Sequence, residues 1–521
     1  MKKFLSVLLT TAIFLIASIV HAEVKTYEGV GEYYMSDFET FEVAQQRAKQ
    51  RAEQNACEKA GVYVKSFSRT KNFELVDDEV ITMTNGILKI VDVQYHRENF
   101  DNNTTLIRAT VKADINSDDV LKWLNKDGQE KSTLIAQNEA LRKANEDQER
   151  QISELKRQLA EKPQDAAKIS EQFAAEDKLF LSNQKAAEAI KYLDVGDYNT
   201  TIKISNEAIE LNPINSIAIF GRGAAYFNLG NYTAALDDFN KSIELKLNLA
   251  EVYALRGGTY YMLAQYEPAL KDVEQAMRLK PGLTALYTVR GAIYNELGQY
   301  ERALQDLNKA IQFNPNDYEA YNNRGNSYQE LQQYDRAIAD YDKTIQLNPN
   351  YDMVYNNRGL AYYKIQQYER AIQSFDKAIA INPKFAQAYN NRGLTRYDLQ
   401  QYDQAIRDYD RAIELDPNYF PTWYNRGRTY NTLQRYEQAI GDLSRAIQLN
   451  PNYSDTYILR GAAYAMTGNF NQAFQDLDKA IALNPNSAAA YQVRGVLYQE
   501  LGDMAKAQVD LAKAKQLGYV G

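Results

Sequence analysis

Nine Arg-Gly pairs stand 34 residues apart, at Arg222-Gly223, Arg256-Gly257, Arg290-Gly291, Arg324-Gly325, Arg358-Gly359, Arg392-Gly393, Arg426-Gly427, Arg460-Gly461 and Arg494-Gly495. A period held this strictly restricts the chain to an architecture made by repeating one unit. A unit this short cannot bury its own apolar face, so each copy must be covered by its neighbours. A divergent copy lies upstream, with Tyr192, Gly196, Tyr198, Ala208 and Pro213 in phase and Glu188-Ala189 in place of Arg-Gly.

The fixed positions predict two antiparallel helices per unit. An aromatic residue precedes the arginine by three positions in all but the first full copy (Tyr253, Tyr287, Tyr321, Tyr355, Tyr389, Trp423, Tyr457, Tyr491). Tyrosine follows it by four, except where Arg396 stands. With the glycine between them these residues make one stripe of the first helix. That glycine, and an alanine thirteen residues after every arginine (Ala235 through Ala507), let two backbones approach closely. Ile338, Tyr341, Thr344 and Ile345 give the second helix its apolar face. Asn-Pro pairs such as Asn314-Pro315 and Asn484-Pro485 stop it. Glutamine replaces glycine between the helices at Gln332, Gln366, Gln400 and Gln434. The 40 tyrosines read mainly as packing groups with hydroxyls at the edge. An aspartate follows the arginine by sixteen residues in eight of nine copies, Ser374 being the exception, and predicts a recurrent Arg–Asp pair between helices.

Over residues 181–518 this pattern resembles the tetratricopeptide repeat, although arginine stands where that family usually has leucine. The resemblance implies a mainly α fold, a right-handed α-solenoid of about ten helix pairs. It also implies that the first helices line a groove for an extended peptide. The positions opposite the packing stripe would face that groove. They hold Asn322, Asn323, Asn326, Gln329 and Glu330 in one copy, then Asn356, Asn357, Leu360, Tyr363 and Lys364 in the next. Asn390, Asn391, Leu394, Tyr397 and Asp398 follow, and then Tyr424, Asn425 and Arg428. An amide both donates and accepts, so such a ladder can hold a peptide backbone without reading its side chains, and amides with aromatics also suit a glycan. Alternatively, the asparagines bridge neighbouring helices.

Upstream, residues 23–125 predict a small α+β domain. Val24–Tyr34 reads as a strand and Phe38–Ala60 as a helix with Ala44, Ala48, Ala52, Ala56 and Ala60 on one face, capped by Gly61. Val62–Phe73, Ile87–Phe100 and Thr104–Ile115 read as strands, with a turn at Asp101-Asn102-Asn103 between the last two, and Asp77–Asn85 as a short helix. Tyr27-Glu28-Gly29-Val30-Gly31-Glu32, Ala44-Gln45-Gln46-Arg47-Ala48 and Ile107-Arg108-Ala109-Thr110-Val111 are similar to the small N-terminal envelope domain of flagellar assembly protein T and related exported proteins, which implies an envelope setting. Residues 126–180 predict a helical linker. Leu134, Leu141, Gln148 and Leu155, with Asn138, Asn145, Ile152 and Leu159, form a heptad seam that reads either as a homo-oligomeric coiled coil through 134–159 or as a solvated spacer ending near Pro163.

Residues 1–22 read as a signal peptide, with Lys2-Lys3, an apolar run from Phe4 to Val20 and a cleavage site at Val20-His21-Ala22. Export to the periplasm or cell envelope is therefore expected, with no stable membrane insertion after cleavage. A net charge of −8 argues against nucleic acid as a partner. Catalytic chemistry has little to draw on. His96 is the only histidine beyond the leader, Cys57 is the only cysteine, and Asp77, Asp78 and Glu79 read as a helix N-terminus. A non-enzymatic scaffold for a protein or peptide partner is expected, without cofactor or metal; the second reading is a glycan-binding or polysaccharide-export accessory.

Overall fold

The computed structural model describes residues 24–519 apart from 38, 71–74, 76, 100–103 and 126–127. The leader and the turn at 101–103 therefore lie outside the described residues. Packing divides the chain into two compact units, 1–293 and 294–521.

The first unit opens with β1 (Val24–Met35), α1 (Phe41–Thr70), α2 (Asp77–Ile87), β2 (Lys89–Asn99), β3 (Thr105–Asn116) and α3 (Ser117–Leu124). The three strands form one antiparallel sheet in the order β1-β3-β2. The alanine face of α1 lies almost in contact with β1. A Cβ at Gly31 would sit 2.2 Å from the Ala48 carbonyl oxygen, and one at Gly29 would sit 2.0 Å from that of Ala52. Two glycines on the strand and small residues on the helix are thus one packing device.

Two expectations fail here. Gly61 does not cap α1, and the expected strand Val62–Phe73 is helix as far as Thr70, the remainder lying outside the described residues. Ala60 and Val64 are buried with Val80, Met83, Ile87 and Trp123 in one core. Burial of such side chains, worth about 1.5–3 kcal/mol each for the larger ones, outweighs the roughly 1 kcal/mol that glycine costs a helix interior.

A helical hairpin follows, α4 (Gly128–Glu161) and α5 (Ala166–Asp194). It corrects the oligomer reading. Leu134 and Leu141 pack with Ala186, Ile190, Ala208, Ile217 and Ala218 of the same chain, and Ile152 and Leu155 pack with Ile169 and Phe173. The heptad seam is spent on α5 and the helices that follow, so it offers nothing to a second copy. As expected, α4 stops just before Pro163.

Helix pairs then succeed one another. In the first unit, α5 and α6 (Tyr198–Leu211) form the divergent pair, followed by α7 (Ser216–Asn228) with α8 (Tyr232–Glu244) and α9 (Ala250–Met262) with α10 (Tyr266–Leu279); α11 (Ala285–Glu296) begins the next copy. The second unit continues with α12 (Tyr300–Phe313), α13 (Tyr318–Glu330), α14 (Tyr334–Leu347), α15 (Asp352–Lys364), α16 (Tyr368–Ile381), α17 (Ala386–Asp398) and α18 (Tyr402–Leu415). It ends with α19 (Phe420–Thr432), α20 (Tyr436–Leu449), α21 (Ser454–Met466), α22 (Phe470–Leu483), α23 (Ala488–Glu500) and α24 (Met504–Gln516). The Arg-Gly glycine permits the pair contact: at Gly359 a Cβ would meet the Phe375 ring at 2.5 Å.

Candidate functional site

The arginines hold the helices of successive pairs in register. Arg222, Arg256, Arg324, Arg426, Arg460 and Arg494 each donate from Nε and Nη2 to both oxygens of the aspartate sixteen residues on, at 2.6–2.9 Å. Such two-point pairs are the strong form of a guanidinium–carboxylate contact. Arg392 makes the same pair with Asp408, whose other oxygen also accepts from Arg396 at 2.7 Å. The arginine that breaks the tyrosine series thus adds a second cation to one clamp.

Sequence reasoning missed a third partner. Nη1 of these arginines reaches back sixteen residues to the preceding pair, to Asn206, Asn240, Asn308, Asp376, Asp410, Ser444 and Asp478, at 2.5–2.9 Å. Arg358 likewise reaches Asp342 at 2.6 Å, while its forward contact is only the Ser374 hydroxyl at 3.3 Å. The signal was present in the sequence, because an acceptor recurs eighteen residues after most of the arginines. Aromatic rings sandwich the guanidinium: Arg426 lies 5.1 Å from the Trp423 ring centre and 5.8 Å from that of Tyr430.

The asparagines divide into two sets. Asn322, Asn356, Asn390 and Asn425 are buried. They belong to a run of amides linking successive first helices. Asn357 donates to Asn326 at 3.2 Å, Asn391 to Asn356 at 2.9 Å, Asn390 to Asn391 at 3.2 Å and Asn425 to Asn390 at 3.1 Å. Asn323, Asn326, Asn357 and Asn391 are half-buried. Much of the amide capacity read as a ligand ladder is therefore spent between helices.

The positions further along each first helix are less engaged. Leu360, Tyr363, Leu394, Tyr397, Tyr424 and Arg428 are half-buried, and Glu330, Lys364 and Asp398 are exposed. Tyr363 donates to Asp398 at 2.6 Å, and the Tyr397 and Thr432 hydroxyls lie 2.9 Å apart. The Arg428 guanidinium lies 4.0 Å from the Tyr397 ring centre. Among the described residues its Nε and Nη2 are buried without a hydrogen-bond partner. Tyr424 packs with Phe420 and Tyr453, and burial pushes its phenol up to about 12. The face thus offers rings and short apolar chains flanked by both signs of charge.

Cys57 is buried, and burial first of all pushes its thiol up to about 12, which fits a packing role. Among the described residues no group of histidine, cysteine and carboxylates could hold a metal ion, and no helix is long and apolar enough to cross a membrane.

The family model described as tetratricopeptide repeat matches residues 216–248, 318–351, 353–385, 386–419 and 420–453, and related models match 291–332, 454–487 and 477–509. These matches lend no support to the resemblance read in residues 23–125. No curated protein matches significantly. Among solved structures, YrrB, a tetratricopeptide repeat protein with an unusual peptide-binding site, is 26% identical, with 36% of this chain and 97% of that one covered and a TM-score of 0.31. A tetratricopeptide repeat protein from Parabacteroides merdae ATCC 43184 is 21% identical, covering 51% and 98%, at a TM-score of 0.38. The Cut9–Hcn1 hetero-tetramer of APC/C is 12% identical, covering 77% and 89%, at 0.42. With the period, the paired helices and the close glycine contacts in agreement, the helix pairs from Ser216 onward are tetratricopeptide repeats.

Proposed function

We propose that this chain is an exported, non-enzymatic scaffold that holds an extended segment of a partner protein along α13, α15, α17 and α19. The observation that carries this reading is the row formed by Leu360, Tyr363, Leu394, Tyr397 and Arg428, half-buried and flanked by exposed Glu330, Lys364 and Asp398. Rings on a rigid helix bind with little loss of side-chain entropy, and an arginine lying flat on tyrosine is a common anchor for a partner's acidic or aromatic group. The half-buried Asn323, Asn326, Asn357 and Asn391 flank this row, and Asn326, Asn357 and Asn391 also join the buried asparagines in bridging the helices. The charged start and apolar run of residues 2–20 support export to the cell envelope.

The full mature chain, expected to begin at Glu23, is immobilised and exposed to an envelope extract of the source cell, beside a Tyr363→Ala/Tyr397→Ala variant of equal helicity. The expected result is one or a few proteins retained by the first and reduced at least about tenfold on the second. Equal retention moves the site off this row. Retention that survives protease treatment of the extract but not glycosidase treatment replaces the peptide with a glycan.

A further inference from the structure

The two edges of the N-terminal sheet are treated differently. Along β1 the outward carbonyls are occupied: Lys59 donates to Glu28 O at 2.7 Å, Arg51 to Glu32 O at 2.8 Å and Lys156 to Tyr34 O at 2.6 Å. Cationic side chains therefore close that edge against another strand. Along β2, among the described residues, no side chain reaches the outer backbone, and ten of its eleven residues are exposed. An open edge of this length is a template for strand pairing.

We propose that β2 pairs antiparallel with β2 of a second copy of this chain, about a two-fold axis through Gln94. The central residues of β2, Asp92 to His96, are complementary to themselves in that register. Val93 falls opposite Tyr95 of the other copy, twice by symmetry, a β-branched residue against an aromatic one. Val93 already packs against the core under α1, and Arg97, on the same face, lies 5.4 Å from the Phe41 ring, so the pairs extend an existing apolar layer. On the opposite face, Asp92 falls across from the His96 imidazole, an acceptor facing a donor. That face already carries cross-strand charge rows, Glu28–Lys112–Asp92 and Glu32–Arg108–His96, with Arg108 and Glu32 in contact at 2.7 Å. Pairing joins each row to its counterpart and gives a six-stranded sheet with both copies of α1 on one side. The occupant is a second copy because the central residues of β2, Asp92 to His96, are complementary to themselves on both faces at once.

Gln94 is exposed and sits on the axis, and its side chain makes one exposed contact, donating to Asp92 at 2.9 Å, so its substitutions cost the monomer little and meet themselves in the dimer. The mass of the full chain is measured by sedimentation over a range of concentrations. The unmodified chain is expected to dimerise. Gln94→Lys and Gln94→Glu, each facing its own charge, are expected to raise the dissociation constant roughly tenfold, and an equimolar mixture of the two restores dimer. Gln94→Cys is expected to form an intermolecular disulfide under mild oxidation, since directly opposed residues lie within bridging distance and Cys57 is buried. A chain that stays monomeric throughout overturns the proposal. So does a dimer that ignores both charge variants and fails to cross-link at position 94.

Discussion

Both oxygens of Asp340, 6% exposed, are held by Arg324. In Asp340→Asn one of those oxygens becomes an amide donor pointed at guanidinium donors, and the arginine keeps only Asn308 as a full partner. The expected loss is about 2 kcal/mol, below the cost of breaking a fully buried pair because the arginine is partly solvated. Thermal unfolding measures it. An unchanged melting temperature with weakened partner retention would assign the pair to the ligand instead. The forward half of this clamp was readable because arginine and aspartate recur in phase. Arg396 was not interpretable from sequence, because its pairing with Asp408 depends on how two helices face each other and occurs in a single copy. The asparagines were ambiguous for a related reason. An amide suits a ligand and a neighbouring helix equally, and only the Asn425–Asn390 and Asn391–Asn356 distances separate the two roles.

Between the helices of each pair the chain turns through a left-handed residue. Gly298, Gly468 and Gly502 supply it at no steric cost, whereas Gln332, Gln366, Gln400 and Gln434 adopt φ of 58° to 61°. Each glutamine costs roughly 1 kcal/mol there. Gln366→Gly is therefore expected to stabilise the array by about 1 kcal/mol, read as a higher urea midpoint at unchanged slope, and the four changes together should add. The glutamine substitutions were visible in the sequence as breaks in a glycine series. Ala264 breaks the same series and takes the same conformation, whereas Lys246 takes it between two pairs, where no period points to it. At Gly61 the error ran the other way. A local stop signal was read correctly as local, but the core around Val64, Val80 and Trp123 decides what that segment does.

Across the second unit the fold was readable because its order is one-dimensional: each pair needs only its neighbours, and a period states the neighbours outright. The N-terminal sheet and the hairpin lack that redundancy. The seam of α4 looked the same whether its partner was α5 or another chain, and only the cores around Leu134 and Ile152 settle it. Modular order makes a further prediction. Deletion of residues 352–385, one full period, places Arg392 sixteen residues after Asp342 in place of Asp376 and sets Asn391 beside Asn322. The shortened chain is expected to unfold cooperatively with unchanged helicity per residue, by circular dichroism. A deletion of half a period, residues 369–385, exchanges first helices for second and is expected to lose cooperativity.

Ser374 gives this array a grain. At Arg358 the two-point carboxylate contact is reduced to one hydroxyl at 3.3 Å, while Arg324, Arg392 and Arg426 keep theirs. A chain of near-identical links parts at the thinnest one. Under tension or heat, opening within the second unit is expected to start where α15 meets α16, in the middle of the face proposed to hold the partner. A bound segment lying across that joint would act as a splint, and its loss would be felt first as a crease at Ser374.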